Sequence, residues 1–373
     1  MPATPPGLIG YTRKRRDDPR GQFYNWLTSR ACVVPAAGGG AERELAPALV
    51  DRPGAWTQFA GWSPDGQTAI VCQCWEDEAT YQWEREHQTF RMTEGWLVDS
   101  WLVPLAPSGG APRNVTAVER VSAYNTGLFY WPGDPARLGF QALIAGVSHP
   151  YSMAADGRHK RDLTCGPAAF TYGFTASADG QRIAYHKDYQ VYLADADGSH
   201  ATRVDTGHPF HFCPIWSPDG QWVLFLDGTH YDCQPTLVDR SGRGARKLAD
   251  RRGHPGVIEM LVHPDFHSAS SDTPVWAPDS RWVYYTARYD GALELCRVSL
   301  GGAVERLTRS APGVENHHPQ VSPDGGWVLW TSDATGTKQL HVAGADGSDA
   351  RPITCVPPGC MAAHGHWQPG AGS

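Results

Sequence analysis

The phrase Trp-Ser-Pro-Asp-Gly occupies residues 62–66 and recurs unchanged at residues 216–220. Variants of it are found at residues 176–180, 276–280 and 321–325. Pro-Asp-Gly favours a tight turn, because proline presets φ and glycine accepts a positive φ. Each phrase precedes a short run of β-branched and aromatic residues, such as WVLFL at 222–226, which predicts a strand. A strand–turn–strand unit that returns every 40 to 60 residues or so indicates a β-propeller.

A second repeat gives the number of blades. It consists of a strand, a glycine-rich turn and another strand, and its copies lie at residues 31–46, 101–117, 151–164, 191–205, 236–249, 293–308 and 340–354. Seven copies predict seven blades. Each blade needs four strands, named A to D from the centre outward. The Ser-Pro-Asp-Gly phrase then marks the A–B turn, and the glycine-rich turn joins strands C and D.

The two ends of the chain are expected to share one blade. The blade that begins near Ile9 has candidates for strands B, C and D but no preceding A strand. The sequence His-Trp-Gln-Pro-Gly at 366–370 reads as an A strand that stops at its turn. Closure of this kind leaves no free strand edge between blades. The sequence therefore predicts an all-β fold, a single seven-bladed propeller domain spanning residues 1–373 and closed by the C-terminal strand.

Charge, hydrophobic pattern and cysteine count limit the classes of partner and the compartment that we expect for this protein. The formal net charge is −7, which argues against nucleic acid as the main partner. The sequence has no apolar run of membrane-spanning length and no signal-peptide pattern, so we expect a cytoplasmic protein without a membrane partner, or a periplasmic or secreted one if a signal peptide has been removed. Nine cysteines form an odd set without framework spacing, which favours reduced thiols. We expect a monomer.

Histidine is concentrated at one predicted face. The A strands start at this face, called the top, which also carries the D–A and B–C loops. All but three of the 16 histidines map to the top, the exceptions being His159, His200 and His341. A histidine-rich rim on a rigid ring indicates a metal site or acid–base chemistry. Histidines that are simply solvated in loops are the alternative.

The order of the blades selects candidate metal ligands. Residues just before an A strand point toward the central channel, so histidines from blades six, seven and one can converge. Two further candidates come from blade five. The predicted ligands of a divalent ion (Zn, Mn or Ca) are His267, His317, His318, His366, His230 and Cys233. A buried small residue is the alternative for Cys233.

The repeats resemble those of TolB-like propellers over nearly the whole chain. Together with the histidine-rich top, they also resemble the seven-bladed polysaccharide lyases, which include oligogalacturonate and ulvan lyases. Residues 316–325, NHHPQVSPDG, are similar to the His-Pro approach to an A strand at the metal site of oligogalacturonate lyases. The resemblance implies cleavage of uronic-acid glycosides by β-elimination, in which the carboxylate is neutralised, a base removes the C5 proton and an acid assists the leaving oxygen.

This expected activity assigns roles to particular residues. The base and acid are expected to be His149 and Tyr189, with His186 and Lys187 as alternates, because blades three and four send short B–C loops to the top. An acidic oligosaccharide substrate would be bound by Arg13, Arg16, Gln58, Asn125, Tyr231 and Arg288.

Two other functions remain open from the sequence. A non-catalytic TolB-like propeller would present its top face to a protein or a carbohydrate. A propeller-type hydrolase is the other alternative. A peptidase of that kind needs a G-x-S-x-G hydrolase domain, for which this chain has no room, and a glycosidase needs paired carboxylates, which the histidines outnumber.

Overall fold

The structure is a computed structural model that describes residues 4–87, 96–117, 127–144, 147–164, 166, 171, 173–229, 232–254 and 272–370. Its strands form seven antiparallel sheets of four strands each, arranged as a ring of blades. The predicted all-β, seven-bladed propeller is confirmed.

The first three blades have the following strands. Blade one contains β28 (Cys360–Trp367), β1 (Leu8–Arg15), β2 (Arg30–Pro35) and β3 (Arg43–Glu44). Blade two contains β4 (Ala55–Trp62), β5 (Thr68–Glu76), β6 (Trp96–Pro104) and β7 (Arg113–Asn114). Blade three contains β8 (Phe129–Trp131), β9 (Asp134–Ile144), β10 (Val147–Ala154) and β11 (Arg161–Asp162).

The other four blades repeat this order. Blade four contains β12 (Phe174–Ala176), β13 (Arg182–Lys187), β14 (Gln190–Asp195) and β15 (Thr202–Arg203). Blade five contains β16 (Phe210–Trp216), β17 (Trp222–Thr229), β18 (Asp232–Asp239) and β19 (Arg246–Lys247). Blade six contains β20 (Val275–Trp276), β21 (Trp282–Tyr289), β22 (Ala292–Ser299) and β23 (Val304–Arg306). Blade seven contains β24 (Asn316–Val321), β25 (Trp327–Ser332), β26 (Gln339–Gly344) and β27 (Arg351–Pro352).

Short helices lie in the connections of blades one and two. They are α1 (Gln22–Leu27), α2 (Glu78–His87) and two 3₁₀ turns (Pro47–Leu49 and Pro107–Gly109). The two α-helices meet through Phe23 and Tyr81, whose rings stack with centroids 5.0 Å apart.

The repeated phrase forms the turn that its residues favour. In blade two, Ser63 Oγ donates to Asp65 Oδ1 at 2.5 Å, and Gly66 closes the turn with φ 67°. In blade five, Ser217 Oγ donates to Asp219 Oδ1 at the same distance, and Gly220 again has φ 67°. The side-chain hydrogen bond from Ser63 lowers the pKa of Asp65. The sequence repeat is therefore a structural repeat held by local hydrogen bonds.

The C-terminal strand closes the ring, as predicted. Strand β28 pairs antiparallel with β1, with His366 opposite Gly10 and Met361 opposite Lys14. Trp62 of blade two adds a hydrogen bond from its indole N–H to the carbonyl of His366 at 3.1 Å.

Bulges in three A strands change the direction of side chains at the top of the ring. The pairing register shifts after Phe212 in β16 and after His317 in β24, and it also shifts within the pairing of β28. At these places Cys213, His318 and His364 have φ of 49°, 54° and 52°. A bulge changes the direction of the side chain that it carries. Two of the three re-aimed side chains are imidazoles.

The core lies between neighbouring blades. At the boundary of blades five and six, for example, Leu224 and Leu237 pack with Trp276, Val283 and Tyr285. Packing of this kind fixes the blades against each other, so groups at the top are held by rigid strands.

Candidate functional site

Three buried side chains meet at the top of the ring where blades six and seven adjoin. His254 lies in the connection that follows β19, Asp272 lies just before β20, and His317 is the second residue of β24. One ligating atom from each residue lies within 4.8 Å of those of the others. These three residues are called the mouth cluster below.

Asp272 is the centre of the mouth cluster. Its carboxylate accepts hydrogen bonds from Thr286 Oγ1, from His254 Nε2 at 2.9 Å and from the backbone N–H of His318 at 2.9 Å. His317 Nδ1 lies 3.5 Å from the same carboxylate. Burial opposes ionisation, but the hydrogen bonds from His254 and His317 outweigh it and hold the pKa of Asp272 well below its usual range.

His317 lies between two carboxylates. Its Nε2 is 3.2 Å from Glu315 Oε2, which also lies 3.4 Å from Lys338 Nζ. Burial lowers the pKa of His317, but its hydrogen bonds to Asp272 and Glu315 prevail and raise it. The same contact with His317, aided by Lys338, lowers the pKa of Glu315 to about 2. The imidazole of His317 is thus stabilised as a cation.

His254 is different, because burial lowers its pKa to about 4. The neutral ring carries its hydrogen on Nε2, since that atom faces the Asp272 carboxylate. Nδ1 then presents a lone pair, and this buried atom has no hydrogen-bond partner in the part of the chain that the structure describes. A buried polar atom without a partner indicates a missing ligand, water or ion.

A guanidinium adjoins the mouth cluster. Arg251 is buried, and its Nη2 lies 3.3 Å from the carbonyl of Asp272 and 3.8 Å from Oδ2 of that residue. Its Nη1 is buried without a partner among the described residues. The cluster therefore already contains a positive charge that neutralises part of the Asp272 carboxylate.

Two half-buried histidines extend the site toward blade one. The rings of His318 and His364, both re-aimed by bulges, have centroids 4.2 Å apart. The ring of His317 is 6.0 Å from that of His318. Burial, followed by the nearby His318 and Lys14, lowers the pKa of His364 well below its ordinary value. His364 is accordingly neutral at ordinary pH.

Of the predicted metal ligands, the structure places His317 in the mouth cluster and His318 beside it. His366 is outside the cluster of three and packs against Phe59, with ring centroids 5.7 Å apart, and burial lowers its pKa to about 4. Cys233 donates its thiol to the carbonyl of Thr229 at 3.2 Å, and burial raises its pKa to about 12, which favours the alternative of a buried small residue. The predicted ligands outside the described residues are His230 and His267.

The predicted acid–base groups do not meet the mouth cluster. His149 lies inside β10, not in a loop, and its Nδ1 is 2.6 Å from Asp162 on the outermost strand of blade three. His186 lies inside β13, fully buried and stacked on Phe212 with centroids 5.6 Å apart. It accepts a hydrogen bond from the backbone N–H of Tyr189 at 3.0 Å, which is a structural use of its Nε2.

Tyr189 forms the tip of a tight turn, and Lys187 ends the preceding strand. Tyr189 has φ 64°, and its ring makes an edge contact with Phe210 at a centroid distance of 5.3 Å. Lys187 is half-buried at the end of β13. The predicted acid is therefore part of an aromatic cluster shared by blades four and five.

The predicted substrate-binding residues are dispersed. Arg13 lies inside β1 instead of in the following loop, and its guanidinium pairs with Glu42 and Glu44. Arg16 is exposed, and its backbone N–H donates to the carbonyl of Gly359 at 2.9 Å. The others are Gln58, half-buried in β4, Arg288, exposed in β21, and Asn125 and Tyr231, which lie outside the described residues.

Sequence reasoning missed His254 and Asp272 as partners of His317. A signal for Asp272 was present in the repeat. Asp272 lies five residues before Ala277, and His317 lies five residues before Ser322, where Ala277 and Ser322 are both the second residue of a turn phrase. Equivalent positions in neighbouring blades lie side by side, so this spacing places Asp272 next to His317.

Comparison with known proteins agrees with this architecture. The oligogalacturonate lyase solved in complex with manganese matches 96% of this chain and 89% of its own, with 14% identity and a TM-score of 0.58. A puromycin hydrolase matches 95% of this chain and 53% of its own, with 15% identity and a TM-score of 0.60. Identities this low show the fold alone.

Two curated proteins match part of the sequence. The uncharacterized protein Atu1656 of Agrobacterium fabrum is 30% identical over 145 residues, which are 38% of this chain and 42% of that protein. The Tol-Pal system protein TolB of Bordetella pertussis is 31% identical over 179 residues, which are 45% of this chain and 36% of that protein.

The chain is a TolB-like seven-bladed propeller. It spans less than half the length of these curated relatives. No protein-family model matches it. Among its described residues, none of the helices of this TolB-like propeller is long and apolar enough to cross a membrane. The expected cytoplasmic location stays a prediction.

Proposed function

We propose that the protein is a metal-assisted carbon–oxygen lyase that cleaves a uronate-containing saccharide by β-elimination at the mouth cluster. The observation that carries the proposal is the convergence of His254, Asp272 and His317 at the top of the ring. The likeness of the fold to an oligogalacturonate lyase solved with manganese supports it. An acidic oligosaccharide is the proposed partner, and we propose that the chain acts on it as a monomer.

The donor set of the mouth cluster fits a divalent ion such as Zn, Mn or Ca, although Ca prefers oxygen ligands. Atoms bound at about 2.1 Å to one ion lie about 3 Å apart when their bonds are near right angles. His254 Nε2 and His317 Nδ1 lie 2.9 and 3.5 Å from Asp272 Oδ2, which is close to that spacing.

The buried Nδ1 of His254 offers a second arrangement. Histidine ligands commonly donate their other ring N–H to a carboxylate, which orients the ring. Asp272 has this relation to His254 Nε2. An ion on Nδ1 would then satisfy an atom that has no partner among the described residues.

The proton transfer is proposed to involve His364. A bound ion would neutralise the uronate carboxylate and so make the C5 proton more acidic. His364 is proposed to accept that proton because burial keeps its ring neutral beside the mouth cluster, and the same lowering of its pKa makes it a weaker base than an exposed histidine. His318, whose ring lies 4.2 Å from it, adds a second titratable group at the same place.

His149 and Tyr189 stay predictions for the base and the acid. Blade three is three positions from blade six in one direction and three from blade seven in the other. His149 is moreover paired with Asp162 on the outermost strand. The geometry of the mouth therefore favours His364 as the base.

The alternative function is a TolB-like scaffold without catalysis. One observation favours it, because Arg251 and His317 already neutralise Asp272 and a metal ion is not needed to balance that carboxylate. The sequence match to TolB supports the same alternative.

One experiment separates the two functions. The purified protein is analysed for metal by mass spectrometry and incubated with oligogalacturonates and other uronate oligosaccharides, while the ultraviolet absorbance of the unsaturated product is followed. We expect about one metal ion per chain and product formation. Asp272→Asn should lose both, whereas His364→Ala should keep the metal and lose turnover by about 10²–10⁴-fold.

The control variant is His200→Ala, which we expect to turn over like the wild type, and His149→Ala tests the base predicted from the sequence. His200 is an exposed histidine on the opposite face, paired with Asp195 at 2.7 Å. Loss of turnover in His149→Ala but not in His364→Ala would make His149 the base. A wild-type protein without metal and without product would favour the scaffold.

A further inference from the structure

A second group of aspartate and histidine borders a cavity on blade five. The cavity has a volume of about 230 Å³. It is lined by His208, Asp227, Gly228, Thr229, Asp232, Gln234, Thr236 and Lys247. Seven of the eight lining residues have polar side chains, and no part of the lining belongs to the mouth cluster.

The strand register puts the floor of the cavity on one face of the sheet. Asp227 of β17 is opposite Gln234 of β18, and Thr236 is opposite Lys247 of β19. Residues 234 and 236 are two apart, so these four side chains share a face. His208, from the connection that precedes β16, adds a wall.

The buried carboxylate of Asp227 fixes the orientation of the His208 ring. Asp227 is 5% exposed and accepts hydrogen bonds from Thr206 Oγ1 at 2.7 Å and from His208 Nδ1 at 2.9 Å. Because His208 donates from Nδ1, its Nε2 carries the lone pair in the neutral ring. The half-exposed His208 therefore offers the cavity a hydrogen-bond acceptor in a set orientation.

A second histidine, His211, fixes the direction of the hydrogen bond that Thr206 makes. His211 Nδ1 accepts a hydrogen bond from the backbone N–H of Val191 at 3.2 Å, so its proton is on Nε2. That Nε2 lies 2.8 Å from Thr206 Oγ1 and donates to it. The hydroxyl of Thr206 is then committed to Asp227, and the orientation of the network is fully determined.

The other polar side chains of the cavity contribute more hydrogen-bond acceptors than donors. Gln234 accepts from the backbone N–H of Arg251 at 2.7 Å and donates to Asp232 Oδ1 at 2.6 Å, which holds the exposed Asp232 in place. Lys247 is already paired with Asp250 at 2.7 Å. The lining therefore has two carboxylates, Asp227 and Asp232, against one amine that is already paired outside the cavity.

We propose that this cavity binds a single neutral sugar residue through its hydroxyl groups. Hydroxyl groups donate to fixed acceptors such as His208 Nε2 and the free oxygen of Asp232, and they also accept from threonine hydroxyls. A uronate would bring its carboxylate toward Asp227 and Asp232, which repel it. The volume is below the roughly 300–1,000 Å³ of pockets for drug-sized ligands, which suits one ring.

A metal ion is the less suitable occupant. Among the described residues, only the mouth cluster brings three ligating side chains within 4.8 Å of one another. The proposal for blade five does not depend on the lyase activity, because it concerns binding of a neutral sugar at a different place.

The experiment measures binding to the full-length chain by saturation-transfer NMR and calorimetry. The probes are methyl β-D-glucopyranoside and methyl β-D-galactopyranoside, with methyl β-D-glucuronoside and putrescine as comparisons. We expect saturable binding of at least one neutral glycoside, at least about tenfold weaker binding of the glucuronoside and no comparable binding of putrescine.

Variants locate the site. His208→Ala should weaken binding of the neutral glycoside about tenfold or more, and His208→Gln, which keeps an acceptor oxygen, should weaken it less. The matched control is His200→Ala, which removes the histidine of an exposed Asp–His pair and should bind like the wild type. Absence of saturable binding, unchanged binding in His208→Ala, or tighter binding of putrescine than of both neutral glycosides would overturn the proposal.

Discussion

Asp272 at the mouth and Asp227 on blade five are two buried aspartates that each hold two histidines. Both carboxylates accept hydrogen bonds from an imidazole and a threonine hydroxyl. The histidine partners are His254 and His317 at the mouth, and His208 and His211 on blade five.

The surroundings make the two groups different. At the mouth all three side chains are buried, a guanidinium lies 3.8 Å from the carboxylate, and one histidine is stabilised as a cation. On blade five one histidine is half-exposed and borders a cavity. The comparison teaches that the same residue types give a charged, closed cluster beside a buried guanidinium, and an open set of hydrogen-bond acceptors at the edge of a cavity.

The largest expected effect comes from breaking the ring next to one of the two groups. Deletion of residues 364–373 removes half of β28, and with it the pairing of Trp367 with Ile9 and of His366 with Gly10. Exposed strand edges should cause aggregation or a large fall in Tm. Hydrogen exchange should show blades one and seven, which contact β28, losing protection before blade five does.

Deletion of residues 371–373 alone is the control and should leave the melting temperature unchanged. A chain that lacks residues 364–373 and yet melts like the full-length protein would contradict closure of the ring by the C-terminal strand.

The next largest expected effect is a difference in stability between the Asp272→Asn and Asp227→Asn variants. Asp272→Asn leaves the buried Arg251 without its carboxylate and the cationic His317 with Glu315 alone, which should cost about 3–5 kcal/mol of the free energy of unfolding. The ion-pair partners of Asp227 among the described residues are His208 and His211, so we expect Asp227→Asn to lose about 1–3 kcal/mol. Denaturant unfolding measures both, and equal losses would show that the charges around Asp272 are not what distinguishes it.

Local chemistry made the fold predictable from the sequence. The Ser63–Asp65 hydrogen bond and the positive φ of Gly66 lie within one turn phrase, and the phrase recurs. Ring closure was predictable as well, because a strand pattern was missing at one end and left over at the other. These features depend on residues that are neighbours in the chain.

The site was predictable only in part, because it depends on contacts between blades. His317 was identified from its own segment, but its partners lie 63 and 45 positions earlier in the numbering, at His254 and Asp272. Burial of His186 against Phe212 of the next blade, and pairing of Arg13 with Glu42, likewise could not be read from their own segments. Spacing in the repeat could have found Asp272, but it carried no information on His254.

The smallest expected effect concerns pH and tests whether the two groups respond in opposite directions. Burial lowers the pKa of His211, against the opposing charge of Asp227 and with the aid of His208 and Arg203. Below the unfolded pKa of about 6.5 the unfolded chain binds a proton that folded His211 resists. The contribution of His211 is therefore complete above about pH 6.5 and is lost as the pH falls through the folded pKa. For His317, whose folded pKa is raised, the contribution is complete below about pH 6.5 and is lost as the pH rises through the folded value.

His211→Gln should flatten the fall in unfolding free energy between pH 7 and pH 5 by less than about 1.4 kcal/mol per pH unit, the limit for one proton. His200→Ala, an exposed control, should keep the wild-type slope. Urea unfolding across this range measures the slope, and an unchanged slope in His211→Gln would show that blade five does not resist protonation in the way its burial implies.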